Sequence, residues 1–178
     1  ISIFDYSDLN DLSTIVDYFK WEIFISISTR SDNALVIQYF ATLLSSVFQK
    51  SNTLINSAYE ADVFQLLLSW IETEKYSIRA ASFVALLKAF QFGFNTAGIT
   101  LLDLGLLQQM IVMLDCNSTV LTKEICKAIL ILYKYAEENN NKALCENLKP
   151  ECASEILEAI EYDEGLPCDM MEMLKGSL

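Results

Sequence analysis

An eleven-residue apolar block recurs along this chain at a fixed interval. Ala34-Leu-Val-Ile-Gln-Tyr-Phe-Ala-Thr-Leu-Leu aligns with Ala80-Ala-Ser-Phe-Val-Ala-Leu-Leu-Lys-Ala-Phe at a shift of 46 residues. The same shift reaches Cys126-Lys-Ala-Ile-Leu-Ile-Leu-Tyr-Lys-Tyr-Ala, and a shorter copy begins 42 residues later at Cys168. A small residue opens each full block (Ala34, Ala80, Cys126), and a large apolar one follows six positions on (Phe40, Leu86, Leu132). A polar turn and another apolar segment precede each block: Trp21–Ile27, Phe64–Ile71, Leu107–Leu114 and, for the short copy, Ile156–Ile160. A unit of this size cannot bury its apolar face alone. Stacked copies share a continuous core, so the recurrence constrains the fold more than any single motif does.

Inside each unit the apolar spacing is helical. Leu9, Leu12, Ile15, Val16 and Phe19 predict a helix over about 8–20, and a short one follows over Trp21–Ile27. Ser31 or Asp32 is placed to cap the next. There Leu35, Tyr39, Thr42 and Ser46 lie along one line and Ile37, Phe40, Ala41, Leu44 and Phe48 along another. Ser57-Ala58-Tyr59-Glu60 has the form of a capping box ahead of Val63–Ile71. Ser77 is expected to cap Ile78–Phe92, with Ala80, Val84, Leu87 and Phe94 as its buried stripe and Phe83 and Phe90 beside it. Helices are also expected over Leu101–Leu114, with Gly105 as a weak point, and over Thr122–Glu137. Pro150 and Pro167 suit the first turns of helices over about 150–162 and 167–175. Only five Gly and two Pro occur, too few for the frequent turns of a β-sandwich or barrel. The fold class expected is all-α.

A period of 40–47 residues built from two or three helices marks armadillo and HEAT arrays. The segment Leu106-Leu-Gln-Gln-Met-Ile-Val-Met-Leu-Asp, then Thr122-Lys-Glu-Ile-Cys-Lys-Ala-Ile-Leu-Ile-Leu, resembles that superfamily's second helix, turn and third helix. The resemblance spans about 20–175. It implies an armadillo-like α-solenoid, a right-handed superhelix whose third helices line a concave protein-binding groove. The chain is then one domain, 1–178, with repeats at about 20–49, 60–94, 101–138 and 150–176. Because it starts at Ile1 without a leader, it reads as a segment of a longer array. Nuclear-import adaptors of this superfamily carry Trp-x-x-x-Asn pairs on their third helices. Here Ile25 follows Trp21 and Glu74 follows Trp70, so import-signal binding is not expected.

The function classes this chemistry excludes are several. With no His, Ser–His–Asp and Cys–His sites and the usual zinc enzymes are out of reach. All five Cys lie in the second half without a Cys-x-x-Cys pair, and they read as small core residues in a reducing compartment. The net charge of −12 disfavours nucleic acid and anionic membrane surfaces. The longest charge-free window, 33–49, holds six polar residues and is too polar to span a bilayer. We therefore expect an intracellular, cytoplasmic chain with no catalytic residues, no metal and no cofactor.

The groove side of the recurring block supplies the candidate contacts. Thr42, Lys88 and Lys134 share one register, Ser45, Gln91 and Glu137 another, and Gln38 lies one turn before Thr42. Polar groups recurring at one register suit an extended peptide's backbone. The plainer explanation is the solvated edge of an amphipathic helix. A second candidate is acidic: eleven carboxylates stand against Lys142 and Lys149 between Glu137 and Glu172. Glu155, Glu158, Glu161 and Asp163 would form its docking face for a basic partner, or the solubilising outer face of a terminal repeat. Phe90, Phe92 and Phe94 flank a loop, where partial exposure would make an interface patch, and core filling between repeats is the plainer reading. The expected function is a non-catalytic interaction or scaffold module holding a protein or peptide on its concave surface. The alternative is a compact helical regulator or adaptor that captures an amphipathic partner helix in an apolar groove. These differ in shape, since a bundle would gather its helices around one central helix.

Overall fold

A computed structural model describes residues 20–31, 33–73, 75–114 and 118–139. Among these residues the secondary structure is helical, with no strand. The elements are α1 (Trp21–Arg30), α2 (Ala34–Phe48), α3 (Asn52–Glu60), α4 (Val63–Ile71), α5 (Tyr76–Gly93), a 3-10 turn (Ala97–Ile99), α6 (Thr100–Asp103), α7 (Leu106–Leu114) and α8 (Thr119–Glu138). The expected helices over 8–20, 150–162 and 167–175 lie outside the described residues. Two compact units meet in the chain between Leu101 and Leu102, at the start of the third expected repeat.

In the first unit, α1 runs to Arg30, three residues beyond the expected end, and places that cation where the helix dipole favours it. The cap of α2 is not Ser31, and Asp32 lies outside the described residues. Asn33 caps the helix, its side-chain oxygen accepting from the Leu35 N–H at 3.0 Å, while the Ser31 hydroxyl accepts from the Asn33 N–H at 3.3 Å. The shift follows from geometry, since an N-cap oxygen must reach a donor only two or three positions ahead.

The largest departure from expectation is α3. Ser57–Glu60 is not a capping box before α4 but the last turn of a helix that Ser51 caps through the Leu54 N–H. Its apolar stripe is narrow, with Leu54, Ile55 and Ala58 buried and polar residues elsewhere. The chain then turns into α4 at Asp62, whose φ of 58° and ψ of 20° put it in the left-handed region. Asp is among the few residues that enter that region without prohibitive strain.

Helix α5 is the centre of this unit. It starts at Tyr76, not after a Ser77 cap, and packs on α2, α3, α4 and the 3-10 turn. Ile78, Phe83, Ala85, Leu86, Leu87, Ala89 and Phe90 are all buried, which takes in more of its circumference than the single stripe expected. Ala80 and Val84 of that stripe are only half-buried. A helix apolar on most sides belongs in an interior. Phe48 of α2 and Phe64 of α4 meet edge to face at 6.2 Å, as do Phe90 and Phe94 at 4.9 Å. Separately, Trp21 meets Phe24 edge to face at 5.9 Å within α1, and Phe24 meets Phe40 of α2 at 4.5 Å. Helix α1 also packs on α4.

Small residues permit the closest approaches. Ala85, Ala89 and Gly93 form an i, i+4 ridge on α5. A Cβ at Gly93 would lie 2.6 Å from Ile55 Cγ2 of α3. One at Gly98 would lie 2.6 Å from the Gly93 carbonyl carbon and oxygen and 2.7 Å from the Ala89 oxygen. Glycine lets the 3-10 turn sit directly on the end of α5. Asn56 secures it, its side-chain oxygen accepting from the Ala97 N–H at 3.3 Å, and the Thr96 hydroxyl donates to the Gly93 carbonyl at 2.9 Å.

In the second unit, α7 packs on α8, whose Leu121, Ile125, Cys126, Ile129, Leu132 and Tyr133 are buried. The continuous helix expected over Leu101–Leu114 is interrupted. Leu104 and Gly105 form a turn between α6 and α7, with Gly105 at φ +85°. The weak point is therefore a break. Among the described residues no single helix is long and apolar enough to cross a membrane.

Candidate interaction surface

Among the described residues of the first unit, the outward row of α2 holds the most exposed large apolar side chain. Tyr39 is 70% exposed and Leu35 is 57% exposed, one turn apart on the same face. Thr42 and Ser46 continue that row, and Gln38 lies at its edge. The opposite line of α2, with Ala41, Leu44 and Phe48, carries the burial. Of the two lines legible in the sequence, the one through Leu35, Tyr39 and Thr42 faces outward and the other inward.

Two expected contact residues lie in that row. Thr42 is exposed, but its hydroxyl donates to the Gln38 carbonyl at 2.9 Å. Its own carbonyl accepts from the Ser45 hydroxyl at 2.8 Å and the Ser46 hydroxyl at 3.3 Å. Thr42 thus offers mostly a methyl group, since its donor is used within the helix. Gln38 is half-buried.

Lys88 and Gln91 come together on α5, but not as an open polar rung. The Lys88 ammonium donates to Gln91 Oε1 at 3.3 Å and lies 6.0 Å from the Phe92 ring centroid. Only 9% of Lys88 is exposed, so it offers a partner little surface. Its aliphatic stem packs in the unit while the cation is held by near neighbours in sequence. Phe92 is exposed, Phe90 is fully buried and Phe94 nearly so, so the expectation of core filling describes two of the three. Lys134 is exposed on α8, in the second unit. Glu155, Glu158, Glu161 and Asp163 lie outside the described residues.

An open cleft of about 490 Å³, which no motif in the sequence signals, lies between the start of α1 and the end of α3. Lys20, Glu22, Glu60 and Asp62 stand around Trp21 and Ser57. The Trp21 indole N–H donates to the Ser57 hydroxyl at 3.0 Å, and that hydroxyl donates to the Leu54 carbonyl at 3.2 Å. Ser57, expected to cap α4, instead anchors a tryptophan 36 residues away. No local signal announces a contact at that separation. Among the described residues there is no group of three or more metal-ligating side chains. No protein-family model, curated protein or solved structure matches this chain.

Proposed function

We propose that this chain is a non-catalytic protein-interaction module of armadillo-like, right-handed solenoid design that works inside the cell. Its partner, a protein or peptide, docks on the outward row of α2, with Leu35 and Tyr39 as apolar anchors and Gln38 and Thr42 beside them. The observation that carries the reading is the exposure of Leu35 and Tyr39 one turn apart. Large aromatic and aliphatic groups placed together in water are common at docking sites. The repeat design draws support from the first unit, where α1 packs on α4 and α2 on α5, each pair one recurrence apart. The lack of His favours binding over catalysis.

A second reading, a compact helical adaptor, draws support from the position of α5, which α2, α3, α4 and the 3-10 turn surround. The partner segment would then be an amphipathic helix lying along the same row of α2.

The test is affinity capture with quantitative mass spectrometry on the wild type, Leu35→Glu/Tyr39→Glu and Lys134→Glu. Losing one buried apolar anchor costs roughly 2 kcal/mol, or about thirty-fold in Kd. The double variant should keep its circular dichroism and lose its partner, while Lys134→Glu keeps it. An unchanged partner set with the double variant would rule out the α2 row.

A further inference from the structure

We draw no further inference here: the strongest candidate, the open cleft between the start of α1 and the end of α3 where Lys20, Glu22, Glu60 and Asp62 surround Trp21, is a cluster of mainly acidic side chains, and nothing in the structure shows what occupies it.

Discussion

Replacing Gly98 with Ala should destabilise the first unit more than its small size suggests. The added methyl would lie 2.6–2.7 Å from three backbone atoms: the Gly93 carbonyl carbon and oxygen, and the Ala89 oxygen. Carbon contacts are most favourable near 3.5–4.0 Å, so the 3-10 turn and the end of α5 must part by roughly 1 Å. No side chain can rotate to absorb the clash. Overpacking of this kind costs about 1–3 kcal/mol. The same displacement pulls on the Asn56–Ala97 hydrogen bond, already 3.3 Å long, and its loss adds about 1 kcal/mol. The expected total is about 3 kcal/mol. Both tryptophans, Trp21 and Trp70, lie in the first unit, so their fluorescence during urea unfolding follows that unit. With a urea slope of about 2 kcal/mol/M, the midpoint should fall by roughly 1.5 M. A midpoint within about 0.2 M of wild type would refute the close approach of the turn to the Gly93 carbonyl.

Other substitutions probe separate contacts. Gly93→Ala places a methyl against the Ile55 side chain, so in a double-mutant cycle with Ile55→Ala the two costs should fall short of additivity by at least about 1 kcal/mol. Strict additivity would separate α3 from the end of α5. Ser82 is fully buried on α5 and its hydroxyl has no hydrogen-bond partner among the described residues. Ser82→Ala should therefore leave stability unchanged or raise it by about 1 kcal/mol in urea unfolding, and a loss would contradict the assignment. Asn33→Ala should cost about 1 kcal/mol by removing the α2 cap, whereas Asn33→Asp retains it. Equal losses from both would exclude that capping bond. Ser57→Ala should alter Trp fluorescence in the folded protein by removing the Ser57 hydroxyl that accepts from the indole N–H, and an unchanged spectrum would count against the Trp21–Ser57 contact.

The helical class was legible because apolar residues recur at helical spacing and Gly and Pro are scarce. Where the sequence misled, a local signal competed with a tertiary one. Ser57 and Glu60 have the spacing of a capping box, yet Leu54, Ile55 and Ala58 form a stripe that α5 and α4 bury, so the box residues end a helix instead of starting one. Lys88 looked like a solvated rung because charged residues usually face water. The ridge of Ala85, Ala89 and Gly93 is the better guide, since small residues at that spacing bring other elements close to α5. Gln91 and Phe92, three and four positions after Lys88, then hold its cation at the edge of the packed region. On α2 the two lines were legible, but periodicity alone did not say which was buried. The row with Leu35 and Tyr39 is apolar enough to be mistaken for core.

Hydroxyl-radical footprinting of the intact protein, read by tandem mass spectrometry, tests the arrangement of α2 and α5. In that arrangement the packed residues of α5 are buried while the Leu35–Tyr39 row of α2 stands open. Tyr39, 70% exposed, should be oxidised rapidly and Leu35 readily, while Phe83 and Phe90, with no exposure, should be protected. Protection of Tyr39 equal to that of Phe83, or oxidation of Phe90 at the rate of Tyr39, would contradict it.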